Sequence, residues 1–358
     1  MKNKLLIHHD QYINIGGAEK LTLVIKKKIK IFKTISAINK KTNQNLRFFL
    51  FNHSLLQNLY VFLYFFTYRN FLNLFNFKKN YINIFSANYP ILGSFFLKNK
   101  IFYANHLPKF AFDFFKKNEK RYKKNLIKYF FLIFYKKLFI FSINRFDKII
   151  FNSQYTKKNF EKYLKKINPK TCIVHPPCGT IHKKNLPKKN GYIINISRYT
   201  KEKNLVVFFK LVKIFKNKKF ILVTSPNIKK SKNYDLYKKF KNLKIFYNLP
   251  KKKIASLMKK SSFGVFTGLH EDYGMFLAEL FSYSLPILCV NSGFAPFLVK
   301  NKFYGYVSRN NIQDLVKKFK LIDKYKYKLS FNIKNNLEKI DINSDQNFIK
   351  KLKKEINL

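Results

Sequence analysis

Short apolar runs alternate along the chain with longer segments in which apolar residues recur every three or four positions. The short runs are bounded by polar residues, as buried parallel strands are, and the longer segments have the spacing of amphipathic helices. In the first half of the chain, strands are predicted at residues 4–7, 48–51, 81–85, 101–103 and 148–151. Helical spacing is clearest at residues 21–29, 55–77 and 125–144. This alternation predicts an α/β fold built on a mainly parallel sheet.

The alternation breaks at His175-Pro176-Pro177-Cys178-Gly179 and a Lys-rich polar run, a composition typical of an interdomain linker. It then resumes, with predicted strands at residues 192–196, 220–224, 243–247, 263–267 and 287–290. Helices are predicted between them at residues 204–215, 251–260 and from 274, and two Lys-rich helices after 308. A chain of 358 residues also exceeds what one core usually fills. We therefore predict two Rossmann-like, doubly wound domains with a cleft between them, at residues 1–185 and 186–335, and a C-terminal helix at 336–358 that packs back on the first domain.

Charge is the unusual feature of the composition. The chain has 73 Lys and Arg against 17 Asp and Glu, a formal net charge of +56, which invites a nucleic-acid partner. Only six of these cations are Arg, the residue best suited to bidentate contacts with phosphates and bases, and the lysines are dispersed along the whole chain. A coding sequence poor in G and C would produce the same bias. We therefore expect no nucleic-acid partner, and favour an anionic membrane surface, where net positive charge suffices for attraction.

Targeting and redox signals are weak. The first apolar run is too short for a signal peptide, and the most apolar stretch, residues 59–66, is far below the roughly 20 residues of a membrane span. The three cysteines form neither a metal-site spacing nor a disulfide framework. We expect a cytoplasmic protein, peripheral on the inner membrane face if its basic, aromatic N-terminal half binds an anionic leaflet. The alternative is that compositional bias alone produces these lysines and aromatics. A membrane-binding surface would place the lysines and aromatics of residues 55–77 and 110–141 on one exposed face, whereas bias would scatter them.

Acidic residues are scarce, yet three of them lie close together before and within one predicted helix. Glu271 and Asp272 lie where a strand gives way to the helix, and Gly274 lets backbone amides approach a ligand closely. Such amides at a helix N-terminus form an anion site, and Glu279 could point back towards it. The amides would be those of Met275, Phe276 and Leu277. Carboxylates beside a phosphate site suit a nucleotide sugar, although a favourable helix-dipole interaction would also explain Glu271 and Asp272.

The surrounding sequence is more specific than the spacing of these carboxylates. The stretch from Glu271 to Leu280, followed by Leu285-Pro286, closely resembles the signature of family-4 glycosyltransferases with the GT-B fold. Five further segments resemble motifs of that family in the same order: Ile15-Gly16-Gly17-Ala18-Glu19-Lys20, His106-Leu107-Pro108 with Asp113, Asn152-Ser153-Gln154-Tyr155-Thr156, His175-Pro176-Pro177, and residues 196–204. The first loop and the His106 segment are most similar to mannosyltransferases of surface-polysaccharide or lipid-linked oligosaccharide assembly. Six matches in order are far more specific than any one of them.

The resemblance implies a role for each residue of the donor site. Glu271 would hold hydroxyls of the donor sugar, and Glu279 the ribose hydroxyls of the nucleotide. Arg198 and Lys203, five positions apart, would neutralise the diphosphate with the help of the helix N-terminal amides. The alternative for the two cations is that they are ordinary surface charges, but Arg is rare in this chain and Arg198 directly follows an apolar strand.

The resemblance also implies contacts from the N-terminal half. Gly16 and Gly17 would line the cleft beside the donor phosphate and the acceptor, and His106 would contact the sugar near its reacting carbon. An ordinary strand-to-helix turn and a buried imidazole are the respective structural alternatives. The remaining histidines of interest have no such support and are predicted in turns or at the surface: His8, His9, His175 and His270.

The implied activity is that of a retaining glycosyltransferase that moves a hexose, with mannose favoured, to a glycan or polyprenol-linked acceptor. No Asp-x-Asp occurs in the sequence, so we expect no metal and no other cofactor, the cations stabilising the departing diphosphate instead. Three alternatives stay open: a soluble sugar-metabolic synthase with the same donor site, a basic nucleic-acid-binding protein, and a non-catalytic GT-B protein.

The chain departs from the family pattern beside the predicted nucleotide site. Ser284 stands where a glycine is usual. After the strand at 287–290, the chain keeps a single glycine, Gly293, and has Phe297 where Glu is common. These departures leave the predicted cationic and acidic residues intact.

Overall fold

The structure is a computed structural model that describes residues 4–11, 17–29, 33–38, 54–75, 81–123, 125–164, 167–182 and 185–357. Backbone contacts divide the chain into two units, Met1–His175 with Gln346–Leu358, and Pro176–Asp345. The division falls earlier than the predicted boundary at residue 185. The cause is that the segment after His175 pairs within the second unit, where the Cys178 amide donates to the Asn343 carbonyl at 2.8 Å.

The N-terminal unit contains a six-stranded parallel sheet in the order β2-β1-β3-β4-β5-β6. Its strands are β1 Lys4–Gln11, β2 Lys33–Ile38, β3 Tyr81–Phe85, β4 Lys100–Ala104, β5 Lys148–Phe151 and β6 Lys170–Ile173. The predicted strands at 81–85 and 148–151 coincide with β3 and β5, whereas the one at 48–51 lies outside the described residues. β2 and β6 were not predicted, because their sequences mix polar and apolar residues without a continuous apolar run.

Helices flank this sheet on the pattern that the periodic segments predict. They are α1 Gly17–Lys28, α2 Ser54–Leu63, α3 Asn70–Leu74, α4 Phe115–Tyr122, α5 Leu126–Ile143 and α6 Gln154–Leu164. A π-helical stretch, Tyr64–Arg69, joins α2 to α3, so the predicted helix at 55–77 is one continuous helical segment with a change of pitch. Apolar residues of α5 and α6 pack in one cluster with β4 and β5, including Phe102, Phe139 and Phe160.

The C-terminal unit contains a second six-stranded parallel sheet in the order β12-β11-β10-β7-β8-β9. Its strands are β7 Tyr192–Ile196, β8 Phe220–Thr224, β9 Leu243–Tyr247, β10 Ser261–Phe266, β11 Ile287–Val290 and β12 Gly305–Ser308. Its helices are α7 Leu205–Ile214, α8 Tyr234–Lys238, α9 Lys251–Lys259, α10 Met275–Ser282, α11 Ala295–Val299 and α12 Ile312–Asn335. With the first sheet, this confirms the prediction of two Rossmann-like, doubly wound domains.

The last helix, α13 Asp345–Glu355, begins later than the predicted start at residue 336, because α12 continues to Asn335. Its apolar residues Phe348, Ile349 and Leu352 are buried with side chains of β1, α1 and β3. Residues 346–358 thus complete the core of the N-terminal unit. None of the described helices combines the length and apolar character that a bilayer span requires.

Each sheet has one point at which the strand order reverses. In the N-terminal sheet it lies between β1 and β3, and in the C-terminal sheet between β7 and β10. Loops that leave the carboxyl ends of two such strands diverge in opposite directions and open a crevice in which ligands of doubly wound sheets bind. The structure therefore directs attention to the loops after β1 and β3 in one unit, and after β7 and β10 in the other.

Candidate functional site

The loop after β7 presents the two predicted cations. Arg198 follows the strand by two residues, and Lys203 ends a short 3-10 helix, Lys201–Lys203. Asn204 then adopts a left-handed conformation, φ 48°, from which α7 begins. The Arg198 side chain is exposed and has no hydrogen-bond or ion-pair partner among the described residues, which leaves its guanidinium accessible to an anion.

The loop after β10 is held to the loop after β7 by two hydrogen bonds to backbone carbonyls of that loop. The Thr267 hydroxyl donates to the Lys203 carbonyl at 2.9 Å, and the Leu269 amide donates to the Glu202 carbonyl at 2.7 Å. These contacts join the two strands on either side of the switch point of the sheet. They hold the loop that carries Glu271 beside the loop that carries Lys203.

Lys203 and Glu271 form an ion pair and a hydrogen bond between the Lys203 ammonium and one Glu271 carboxylate oxygen. Both side chains are about one-fifth exposed, at 21% and 23%. The Lys203 ammonium also lies 6.0 Å from the centre of the Phe266 ring. The structure thus brings together two residues with different predicted ligand contacts, Lys203 with the diphosphate and Glu271 with the donor sugar.

The backbone of Glu271 is fixed by the loop after β11. The Phe294 amide donates to the Glu271 carbonyl at 2.8 Å, and Gly293 lies against it with φ 64°. A Cβ atom on Gly293 would lie 2.3 Å from the Glu271 carbonyl oxygen, so glycine is required here both by conformation and by space. The single glycine that the chain retains in this loop is therefore the one that Glu271 needs.

The helix after the β10 loop, α10, has Gly274 as its N-cap residue, and the φ of 80° at Gly274 also favours glycine. Its N-terminus has no side-chain cap. The Met275 and Phe276 amides have no hydrogen-bond partner in the described part of the chain, and the helix dipole adds to their attraction for an anion. The predicted third amide is different: Leu277 donates to the Gly274 carbonyl at 2.8 Å, because the first turn closes tightly.

Glu279 lies further along α10 and is half-buried. Its charge acts on two neighbours: burial and the Glu279 carboxylate raise the pKa of the Cys178 thiol to about 12, and the same two causes raise the pKa of Tyr283. The carboxylate thus lies near these groups in the C-terminal unit. Its predicted role on ribose hydroxyls stays a prediction.

The N-terminal unit has a cavity of about 110 Å³ at its own switch point. Its walls come from the ends of β1, β3 and β4 and from the start of α1. The polar residues that line it are His9, Asp10, Glu19, Ser86, Asn88, Asn105 and His106. A small cavity lined by carboxylates, amides and imidazoles suits the hydroxyls of a neutral polyol better than a phosphate.

Two histidines of β1 differ from the prediction that they lie in turns or at the surface. His8 and His9 are each 1% exposed, because β1 continues beyond the predicted run to Gln11. His9 Nδ1 lies 2.8 Å from the Ser86 hydroxyl and His9 Nε2 lies 3.7 Å from a Glu19 oxygen. His8 bonds Asn83 at 3.0 Å, and burial together with the Arg69 charge lowers the pKa of His8 to about 3.

Asp10 is the most perturbed carboxyl of the cavity. Its oxygen accepts a hydrogen bond from the Tyr89 amide at 3.2 Å. Burial raises the pKa of Asp10 to about 7, with a further increase from the Glu19 charge and an opposing effect of His9. Asp10, His9 and Glu19 were not predicted as site residues. The available signal was that two of the scarce acidic residues flank the predicted first turn.

His106 lies at the rim of this cavity and is exposed. Its Nδ1 lies 2.8 Å from the Leu107 carbonyl oxygen and 3.3 Å from the Asn88 amide nitrogen. The alternative of a buried imidazole is therefore wrong. Asp113 of the same motif is exposed and bonds the Tyr163 side chain, which is a structural contact.

The two predicted glycines of the first loop have different outcomes. Gly16 lies outside the described residues. Gly17 is the first residue of α1, directly before the cavity residues Ala18 and Glu19.

Two further histidines were predicted in turns or at the surface. His270 is exposed, as predicted, with φ 53°. His175 is half-buried, with its ring 3.0 Å from the Asn152 carbonyl oxygen.

The comparisons with known proteins agree with this architecture. Residues 180–340 match the family model described as glycosyl transferases group 1. No curated protein matches the chain by sequence. The fold is similar to that of a glycosyltransferase from Rickettsia africae ESF-5, with a TM-score of 0.68 and 15% identity over 100% of this chain and 98% of that one.

Two further solved structures have the same fold over nearly their whole length. Anabaena HepE in complex with UDP-glucose has a TM-score of 0.70 and 12% identity, over 98% of this chain and 99% of that one. A sucrose-phosphate synthase from Thermosynechococcus elongatus has a TM-score of 0.69 and 10% identity, over 99% and 98%. Together with the family match, these likenesses support a GT-B glycosyltransferase.

Proposed function

We propose that this protein transfers a sugar from a nucleotide sugar to a hydroxyl group of an acceptor. The observation that carries the proposal is the grouping of Arg198, Lys203 and Glu271 at the switch point of the C-terminal sheet. The N-terminus of α10, which has no side-chain cap, directly follows the loop that carries Glu271. This grouping falls within residues 180–340, the segment that matches the glycosyl transferases group 1 model.

The chemistry follows from where charge develops. Breaking the bond between the anomeric carbon and the diphosphate places positive charge on the sugar and negative charge on the leaving group. Arg198, Lys203 and the helix N-terminus are suited to stabilise the diphosphate by preorganised electrostatics. Glu271 accepts hydrogen bonds from sugar hydroxyls once Lys203 has turned to the phosphate. A metal is not required for this arrangement, and we propose that the reaction proceeds without one.

The finer assignments rest on the resemblance of the motifs. We propose a hexose, with mannose favoured, because of the His106 segment and the loop at residues 15–20. We propose retention of the anomeric configuration: the acceptor oxygen bonds the anomeric carbon on the face that the phosphate leaves, and a phosphate oxygen takes the acceptor's proton. HepE, whose fold is similar, was solved in complex with UDP-glucose, which supports uridine as the first base to test.

We propose a glycan or a polyprenol-linked sugar as the acceptor, and a cytoplasmic location on the inner face of a membrane. The polyol-sized cavity of the N-terminal unit supports an acceptor rich in hydroxyls. His106 at its rim supports a role of that residue near the sugars. The similarity to a sucrose-phosphate synthase favours, as a second candidate, a synthase with a small soluble acceptor.

The decisive experiment is thermal unfolding of the protein with UDP-, GDP- and ADP-sugars, each with magnesium or with EDTA. A ligand at a hundred times its dissociation constant stabilises by about 2.7 kcal/mol. We expect a shift with one nucleotide that EDTA does not change and that Glu279→Ala abolishes. Glu338→Ala, at an exposed position of the same unit, is the matched control and should retain the shift. Stabilisation by an RNA or DNA oligomer without any response to nucleotide sugars would refute the proposal.

A further inference from the structure

Two helical segments of the N-terminal unit expose apolar side chains along their length. On the segment formed by α2, the π-helical stretch and α3, the exposed large apolar residues are Leu59, Leu63, Tyr68, Phe71, Leu74 and Phe75. Most of them are separated by three or four positions, so they share one side of the helical segment. The opposite side is buried, with Phe65 fully covered. The segment is therefore apolar towards the core and also towards the outside.

Helix α5 repeats this pattern. Its exposed large apolar residues are Leu126, Ile127, Phe130, Phe134 and Phe141. They recur at intervals of three, four and seven, which places them on one face, while Leu132, Tyr135 and Phe139 are buried on the other. A helix that is apolar on both faces needs a second apolar environment besides the protein core.

Aromatic contacts join the two helical segments that carry these stripes, through rings of which Phe62 is buried, Phe66, Phe95 and Phe131 are half-buried, and Phe134 and Phe141 belong to the exposed stripe of α5. The Phe62 and Phe131 rings lie 5.1 Å apart and the Phe66 and Phe134 rings 5.9 Å apart. Phe95 extends the contact to Phe141 at 6.0 Å. We call the joined surface the aromatic face, and it consists of the exposed apolar residues of α2, α3 and α5 together with Tyr68 and Phe75.

Within the two helical segments that carry the aromatic face, charge has a single sign. Residues 54–75 and 125–144 contain no Asp or Glu, but they contain Arg69, Lys128, Lys136 and Lys137. Lys128 and Lys137 are exposed on α5. The Arg145 guanidinium lies 5.3 Å above the exposed Phe141 ring. Cations beside inserted aromatic rings match an anionic lipid surface, whose headgroups attract the cations and whose acyl boundary takes the rings.

Compositional bias does not account for the aromatic face. The same bias acts on the C-terminal unit, where α7, α8 and α11 are also rich in apolar residues. There no described helix exposes more than three large apolar residues: Val206 and Ile214 on α7, Leu236 on α8, Phe297 on α11, and Tyr325, Tyr327 and Phe331 on α12, with Leu186 and Phe303 in loops. Two exposed apolar stripes on helical segments that pack together mark a binding surface rather than scatter.

We infer that the aromatic face docks on an anionic lipid bilayer, with α2, α3 and α5 lying in the plane of the interface. A second copy of the chain is a poorer occupant, because a two-fold contact would place the α5 lysines of both copies together with no carboxylate from these segments to pair them. This inference deepens the membrane location within the proposed function, but it does not depend on the transfer chemistry.

The test is cosedimentation of the full chain with phosphatidylcholine vesicles, with and without about one-third phosphatidylglycerol. The variant carries Phe71→Ser, Phe75→Ser, Ile127→Ser and Phe130→Ser, which lie at well-exposed positions, Phe75 at 74% and Ile127 at 83%. Removing this apolar area should weaken binding to the anionic vesicles by ~10-fold or more. The matched control, Val206→Ser with Leu236→Ser and Phe331→Ser, changes exposed apolar residues of the C-terminal unit and should bind as the unchanged protein does.

A second variant, Lys128→Glu with Lys137→Glu, separates charge from apolar contact. It should reduce the preference for phosphatidylglycerol while leaving the apolar contribution unchanged. Equal vesicle binding by all variants would overturn the inference. It would also be overturned if the unchanged protein bound no vesicles but formed a dimer in light scattering, and the four-serine variant were a monomer. Unchanged stabilisation of the four-serine variant by the nucleotide establishes that it is folded. If the four-serine variant loses vesicle binding but retains nucleotide binding, the result supports docking through the aromatic face. If the unchanged protein binds vesicles but no nucleotide, only the proposed transferase function is refuted.

Discussion

Lys203 and Glu271 pair with each other across the switch point of the C-terminal sheet, although they come from loops that follow different strands. Each is the other's ion-pair partner, so a ligand that takes one of them frees the other. A diphosphate that draws the Lys203 ammonium away leaves the Glu271 carboxylate open to hydroxyls of the attached sugar. Under the proposed function, the pair would therefore couple recognition of the two halves of a nucleotide sugar.

This coupling predicts the effect of Lys203→Ala. The variant should lose at least ~100-fold in the rate at which the sugar nucleotide is cleaved, because one electrostatic stabiliser of the leaving diphosphate is gone. It should also lose the stabilisation by the nucleotide diphosphate. Lys201→Ala removes an exposed cation of the same short helix and should change either measurement by less than about twofold. Similar losses in both variants would show that general positive charge is what matters.

Gly293 supports Glu271 through a close backbone approach, which predicts a large effect of Gly293→Ala. The added Cβ would meet the Glu271 carbonyl oxygen at 2.3 Å and would force Glu271 to move. We expect a loss of at least about 2 kcal/mol in unfolding free energy, together with weaker nucleotide binding. Gly179→Ala is the control, since Gly179 also has positive φ, 92°, but nothing lies within 4 Å of its Cβ. The difference between the two variants measures the contact with Glu271, and identical behaviour would contradict it.

Ser284 stands where glycine is usual in the family that the sequence resembles, and the structure shows a cost of the serine. Its φ is 55°, and its buried hydroxyl has no hydrogen-bond partner among the described residues. Ser284→Gly should therefore raise the unfolding free energy by about 1 kcal/mol or more. Ser284→Ala removes only the hydroxyl and should recover part of this gain. Chemical denaturation of the three proteins separates the two causes, and a destabilised glycine variant would contradict both.

Asp10 predicts a pH dependence. Its pKa in the folded protein is about 7, above the ordinary value of 3.8, because burial penalises the ionised form. Its stabilising contribution is thus fully present below about pH 4 and is lost as the pH rises to 7. Relative to Asp10→Asn, which stays neutral, the unchanged protein should lose a few kcal/mol of stability across that range.

For Asp10, the quantity to measure is the difference in unfolding free energy between Asp10→Asn and the unchanged protein at each pH. The pKa of His8, lowered to about 3, gives a contribution of opposite sign, present above pH 6.5 and lost as the pH falls. Both proteins retain His8, so its contribution cancels. Denaturation at pH 4, 5.5, 7 and 8 provides the data, and a difference that is constant with pH would show that Asp10 is not buried as described.

The sequence predicted β8 and β11 because each is a continuous apolar run buried on both faces. The end of β1 was missed for a physical reason. His8 and His9 are polar, and they are buried only because β3 supplies Asn83 and the residue after it supplies Ser86 as partners. Such pairing between distant residues leaves no local pattern.

The candidate site shows the same limit. The motifs identified Lys203 and Glu271 individually, but their pairing depends on which loops the strand order brings together. The cavity residue Asp10 was missed because it belongs to none of the motifs, and Glu19 was missed because only Gly16 and Gly17 of its motif had a predicted role. The aromatic face needed the structure as well, since the sequence gives helical spacing but not which apolar residues the core leaves uncovered.

The packing of α13 has a consequence for the order in which the chain folds during synthesis. Phe348 and Leu352 close the same apolar cluster that begins with Leu5 and Ile7. A ribosome releases the second unit, residues 176–345, before these closing residues emerge. The N-terminal unit is therefore synthesised first but completes its core last. Its apolar cluster stays partly uncovered while the second unit is synthesised.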